Sequence, residues 1–275
     1  MRRPLALLAL VPLVVVGLTV PAGAARNGGF SNGGGSSNGG GSSNPTAGMS
    51  LVFNQGFSGS TLNSSVWQTC YEWYVASVGC TNYGNGELEW YLPGGDQVSG
   101  GVLHEVATKT PTQGTTQAGA SEVYPYKSGM VTTFGSFSFT YGYVSVVAKL
   151  PGGAGTWPAI WMLPENGTWP PEIDIMENYG STNQIQCTVH WSSANLQAYA
   201  NVTSSANLTN SYNTYSVLWT PTSLTWYLNG KAVFTYSGAG VPNTPMYLLA
   251  NLAINAVGAP SSSFDIQSVK IYQNG

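Results

Sequence analysis

From about residue 49 the chain runs in short apolar–polar alternations broken by glycine, and no stretch keeps a 3.6-residue period over a helix length. Phe137–Leu150, FSFTYGYVSVVAKL, alternates along its length and predicts one strand. Ser223–Tyr236, SLTWYLNGKAVFTY, reads as two strands around Asn229-Gly230. An Asn-Gly pair between alternating runs is the strongest short hairpin signal, because both turn residues accept positive φ. Many Thr, Val, Tyr and Trp residues and frequent glycine turns extend the same reading along the chain. The pattern predicts an all-β fold: two packed antiparallel sheets, a jelly-roll β-sandwich, forming one domain over 49–275.

The residues before it break the pattern. Met1–Ala25 has two arginines, then LALLALVPLVVVGLTV, then PAGAA. A charged start, an apolar run and a small-residue cleavage site predict a signal peptide over 1–25, hence a secreted, extracellular protein with no membrane association after cleavage. The alternative is a membrane anchor, which the short apolar run disfavours. RNGGFSNGGGSSNGGGSSNPTAG repeats GGGSSN and has almost nothing to bury, so 26–48 predicts a flexible linker.

Charge narrows the partners. The formal net charge is −3 and only 7% of residues are charged. Without a basic patch, nucleic acid and anionic membranes are not expected partners. Scarce arginine also argues against sulfated or uronic ligands, which leaves a neutral polysaccharide. Of the three cysteines, Cys70 and Cys80 are spaced for a short disulfide in an exported chain, with Cys187 left as a small buried side chain. Neither their number nor their spacing suggests zinc, and no nucleotide loop is present, so no metal and no cofactor are predicted.

In so uncharged a chain, Pro170–Gly180, PPEIDIMENYG, stands out, with Glu172, Asp174 and Glu177 within six positions. On a strand Glu172 and Asp174 share one face, and Ile173 and Ile175 the other. Glu177 joins that face only if one extra residue, a β-bulge near Ile175 or Met176, shifts the alternation. The resulting row suits a retaining glycosidase, whose two carboxyl groups lie about 5–5.5 Å apart as nucleophile and acid/base. The middle acid would share a proton with the nucleophile and separate their pKa values. Two plainer readings compete: a solvated strand edge and a calcium site. The first does not account for three acids on one face among tryptophans. The second lacks the alternating Asp/Asn/Gly loop character.

Sugar rings present apolar C–H faces, so glycan clefts use aromatic platforms beside a few polar groups. Trp157 and Trp161 in TWPAIW and Trp169 before PPE crowd the acids; the plainer reading of each is core packing. His190 in CTVHW is either structural or a partner of the acids. Asn251 in YLLANLAI needs a partner for its amide, either backbone or a substrate hydroxyl. Trp90 and Tyr91 follow Glu87 and Glu89, which read as exposed strand residues, and His104 reads as structural or surface.

PPEIDIMENYG resembles the catalytic signature of glycoside hydrolase family 16, in the bulged E-x-D-x-x-E form of laminarinase-like members. FSFTYGYVSVVAKLP, GTWPAIWML, YNTYSVLWTPTSLTWYLNGKAV and VKIYQ extend the resemblance from about Leu51 to Tyr272. The resemblance implies a concanavalin-like sandwich with a concave sugar cleft. In it Glu172 would be the nucleophile, Glu177 the acid/base and Asp174 the assisting acid. It implies Trp157, Trp161, Trp169, His190 and Asn251 at or near the cleft, and Trp90 at its non-reducing end. The expected activity is that of a secreted, monomeric, retaining endo-β-1,3-glucanase. Mixed-linkage β-1,3-1,4-glucanase, galactan hydrolase, transglycosylase and non-catalytic glycan-binding module are the alternatives. Tyr143, Ser145 and Val147 depart from the Arg, Glu and Arg of the family's YGRFEARIKLP, and Met130 stands for a further arginine. These departures imply a cleft stripped of charged lining. NAVGAP replaces a GG-x-W run, and Gln267 replaces a calcium-ligating aspartate, which leaves a structural Ca2+ unpredicted.

Overall fold

The computed structural model describes residues 44–73, 80–82, 85–192, 194 and 196–275. The predicted signal peptide, and the predicted linker up to residue 43, lie outside them. Two antiparallel sheets make the body. The larger runs Lys231–Ser237, Ser223–Leu228, Asn213–Trp219, Gly142–Lys149, Ser262–Asn274, Val102–Ala107, Asp96–Ser99, with Met49–Gln55 also paired to Ser262–Asn274. The smaller runs Leu196–Thr203, Gln184–Ser192, Glu172–Glu177, Thr156–Pro164, Met246–Ile254, Met130–Thr132.

Period-2 alternation supplies the layer between them. Val144, Val146 and Ala148 point inward from the larger sheet, and Ile160, Met162, Leu248 and Leu252 from the smaller. Each such side chain contributes about 1.5–3 kcal/mol when fully buried. Indoles add to the layer: Trp219 and Trp226 are fully enclosed.

The hairpin at Asn229-Gly230 forms as expected, with φ of 51° and 78° and Leu228 opposite Lys231. The Phe137–Leu150 run does not form one strand. Tyr141 takes φ 61°, which ends the pleat, and the strand starts at Gly142, where a Cβ would lie 2.4 Å from the Tyr272 carbonyl oxygen. Only glycine allows that approach. Tyr143, Ser145 and Val147 then alternate onto the outer face of the larger sheet, where Tyr143 packs on Tyr227 and Tyr272. The departures at these positions therefore do not alter a cleft on the smaller sheet, contrary to expectation.

The smaller sheet also has a second apolar layer, on the face turned away from the core. Ala159, Trp161, Leu163, Tyr247, Leu249 and Met130 project there and are roofed by Tyr71, Cys80 and Tyr91. Cys70 and Cys80 are joined by a disulfide that closes this roof, while Cys187 is free and buried on the core side. Among the described residues this roof covers side chains of the Thr156–Pro164 strand, and the acids begin at the next one.

Candidate active site

The row of acids forms through one irregularity. Asp174 pairs with Thr188 and Glu177 with Gln186, so two residues of one strand, Ile175 and Met176, oppose one of the other, Cys187. On the other side Met176 faces Ile160 and Asp174 faces Trp161, which leaves Ile175 as the extra residue. Ile173, Ile175 and Met176 all sink into the core. Glu172, Asp174 and Glu177 consequently share the outer face. The carbonyl of Asp174, beside the bulge, accepts a 2.9 Å hydrogen bond from Trp226 Nε1 of the larger sheet.

Each acid has its own donors. Trp169 Nε1 donates to Glu172 Oε2 at 2.7 Å. Trp157 Nε1 and the Tyr179 hydroxyl donate to Glu177 Oε1 at 3.0 and 2.8 Å. His190, cross-strand from Glu172, brings Nε2 to 3.3 Å from Asp174 Oδ2 and 3.7 Å from Glu172 Oε1. These are ion-pair distances without hydrogen-bond geometry, since Asp174 Oδ2 has no hydrogen-bond partner among the described residues.

Burial pushes all three carboxyl groups above their ordinary range. Glu172 is raised further by the Asp174 charge and eased by His190 and the Trp169 bond. Asp174 is raised by burial and then by Glu177, with relief from a hydrogen bond to Glu172. Glu177 is raised by burial and eased by Tyr179 and Trp157. Three acids packed this way do not all ionise together near neutrality; they hold protons between them. Ligand atoms of Glu172, Asp174 and His190 also lie within 4.8 Å of one another, close enough to share a cation.

The tryptophans separate by role. Trp169, 44% exposed, lies over His190 with ring centres 6.2 Å apart. Trp157 is half-buried beside Tyr179, itself 48% exposed, at 5.4 Å. Both indoles turn their Nε1 edge toward the row. Trp161 lies beneath the roof, 8% exposed and edge-on to Tyr71, so it is floor and not platform. Its Nε1 donates to Asn251 Oδ1 at 2.8 Å, and Asn251 Nδ2 donates to the Tyr91 hydroxyl at 3.0 Å. Both ends of the Asn251 amide thus have a partner inside the protein, and the side chain is buried at 3% exposure.

Trp90 is corrected by the same geometry. It lies in the short strand Glu89–Tyr91, packs on Tyr124, and rests on Gly114, where a Cβ would lie 2.4 Å from the indole. Tyr91, its neighbour, reaches the floor instead. Glu89 is fully buried, not exposed: its Oε2 accepts the Ile254 N–H at 2.6 Å. Glu87 Oε2 accepts the Tyr91 hydroxyl at 3.2 Å. Sequence reasoning also missed Tyr179 and Trp226. Tyr179 was within reach, because it follows Glu177 by two residues and so shares its face in an extended segment. Trp226 carried no local signal, since its partner lies 52 residues away in the opposite sheet.

The model of "Glycosyl hydrolases family 16" matches residues 101–268, and the chain belongs to that family. It is 37% identical over 209 residues to the Endo-1,3-1,4-beta-glycanase EglC of Rhizobium meliloti, covering 72% of this chain and 44% of that protein. To Glucan endo-1,3-beta-glucosidase A1 of Niallia circulans it is 32% identical over 237 residues, covering 76% of this chain and 34% of that protein. The chain thus spans about half or less of the length of these curated relatives. The laminarinase catalytic domain of Thermotoga maritima superposes with a TM-score of 0.71 at 26% identity, covering 82% of this chain and 99% of that one.

Proposed function

We propose that the chain is an exported, endo-acting β-glucanase that cleaves β-1,3-linked glucan of the laminarin type with retention of configuration. The observation that carries this reading is the bulge at Ile175, which puts Glu172, Asp174 and Glu177 in one row on an open sheet face. In the proposed double displacement Glu172 attacks the anomeric carbon while Glu177 protonates the leaving oxygen. Water deprotonated by Glu177 then releases the glycosyl-enzyme. Trp157 and Tyr179 both occupy Oε1 of Glu177, leaving Oε2 to carry the working proton. Asp174 holds a shared proton, which relieves repulsion on Glu172 when that group must be ionised. Trp169 both donates to Glu172 and offers an exposed ring face to a sugar. No cofactor enters these steps.

Mixed-linkage β-1,3-1,4-glucan is the second reading, favoured by the likeness to a relative named for that linkage. Reducing-sugar release from laminarin, barley mixed-linkage glucan, agarose and xyloglucan, with Glu172→Gln alongside, tests both. Laminarin is expected to be cleaved, and the variant to lose at least about a thousandfold in kcat. Near-normal turnover by Glu172→Gln would falsify the assignment. Binding without release on all four polymers would instead make the domain a glycan-binding module. Export follows from residues 1–25 and is tested by N-terminal sequencing of the mature protein, with cleavage expected after Ala24 or Ala25.

A further inference from the structure

The outer face of the larger sheet carries a second constellation, built from three strands. Ser99 Oγ lies 3.1 Å from His104 Nε2, and His104 Nδ1 lies 2.8 Å from Asp265 Oδ1. Asp265 is 7% exposed. Lys149 Nζ sits 2.9 Å from its other oxygen, and the Ser263 hydroxyl donates to Oδ1 at 2.5 Å. Burial works against its charge, but the Ser263, Lys149 and His104 contacts outweigh it and hold the carboxyl below the usual carboxylate range. An ionised Asp265 claims the Nδ1 proton of His104. The Nε2 lone pair is then left facing the Ser99 hydroxyl. Nucleophile, base and orienting acid stand in that order, the geometry by which such triads are recognised on unrelated folds.

The serine is also presented for reaction. Ser99 ends the edge strand Asp96–Ser99, is exposed, and opens a turn through Gly100 and Gly101 with φ of 59° and 78°. Neither glycine N–H donates a backbone hydrogen bond to a described residue. A groove of about 780 Å³ runs along the same edge strand, with Thr61, Ser64, Gln68 and Gln97 in its wall. Gln97 precedes Ser99 by two residues on the same face. Leu62, Trp67 and Val98 line it as well, so the groove beside the serine is of mixed apolar and polar character.

We propose that Ser99, His104 and Asp265 form an acyl-transfer site, separate from the carboxylate row, for short-chain O-acyl esters. Ser99 Oγ attacks the ester carbonyl carbon while His104 Nε2 takes the hydroxyl proton. The tetrahedral intermediate collapses, the C–O bond to the alcohol breaks, and the alcohol leaves with that proton. Water, deprotonated by the same nitrogen, then attacks the acyl-serine, releases the carboxylic acid and restores the hydroxyl. Asp265 acts through His104 and is a positioning residue. This site does not depend on the glucanase reading.

The full chain treated with a fluorophosphonate probe tests it. Ser99 is expected to displace fluoride and gain the phosphonyl mass on its tryptic peptide. Labelling should vanish in Ser99→Ala and slow by at least about tenfold in His104→Gln, because a general base supplies about 10²–10⁴-fold. Folding of each variant is read separately from its melting temperature, and p-nitrophenyl acetate turnover gives a second readout. An unlabelled Ser99 in the folded wild-type chain overturns the proposal. So does a His104→Gln variant labelled at the wild-type rate, or acetate release that survives Ser99→Ala.

Discussion

Trp169 does two things at once, and substitutions can separate them. Its indole N–H sits 2.7 Å from Glu172, and its ring is exposed. Trp169→Phe keeps a ring face and removes the donor. A hydrogen bond to a charged group contributes about 1.5–3 kcal/mol, so kcat on laminarin should fall about 10–100-fold with KM nearly unchanged. Trp169→Ala should raise KM as well. If the Phe variant changes KM alone, the indole N–H has no part in the reaction. Away from the row, Glu72 is pushed up to about 7 by burial and then by the charge of Glu165. A carboxyl whose folded pKa is raised favours the folded state below its unfolded pKa, and loses that contribution as pH rises through the folded value. The window therefore runs from about 4.5 to about 7. Glu72→Gln should match the wild-type melting temperature at pH 4 and exceed it at pH 8. Equal melting temperatures at pH 8 would show that Glu72 carries no such strain.

The strand Glu172–Glu177 works because it is irregular. Removing Ile175 would leave Glu172, Ile173, Asp174, Met176 and Glu177 in strict alternation, with Met176 inward and Glu177 still on the outer face opposite Gln186. The deletion variant should keep glucan cleavage and lose about 1.5–3 kcal/mol of stability in urea denaturation, the contribution of one buried isoleucine. A variant that is folded but inactive would mean that the bulge does more than set the face of Glu177. This element was legible in the sequence, because three acids in an apolar run fit one face only with an added residue. The Asn229-Gly230 hairpin was legible for a similar reason: the turn demands two residues tolerant of positive φ. The strand Glu89–Tyr91 was not. All three of its side chains are buried, so no alternation marks which one reaches the floor, and the assignment fell on Trp90 in place of Tyr91. Periodicity fixes the face of a residue but not its neighbour. Asn251 needed a partner for its amide, and Trp161 and Tyr91, brought in by other strands, supply one at each end.

On the scale of the whole molecule, one apolar layer joins both sheets, and Trp226 ties the larger sheet to the backbone of Asp174 across it. The row of acids thus sits on the back of the core that holds the fold together. Its outer side is flanked by the separate roof of Tyr71, Cys80 and Tyr91, closed by the disulfide. These two attachments differ in strength. The sandwich buries dozens of side chains in one cluster, whereas the roof rests on a handful. Small single domains of this kind usually unfold in one transition, and regions with few buried contacts open earlier. Because the acids hang from the core strand and not from the roof, laminarin cleavage and tryptophan fluorescence should be lost together along a urea gradient with the disulfide intact. Reduction of Cys70–Cys80 frees the roof and uncovers Trp161, so under reducing conditions activity should fall at lower urea than the fluorescence midpoint. If reduction leaves the two transitions coincident, the roof contributes nothing to holding the floor beneath the row.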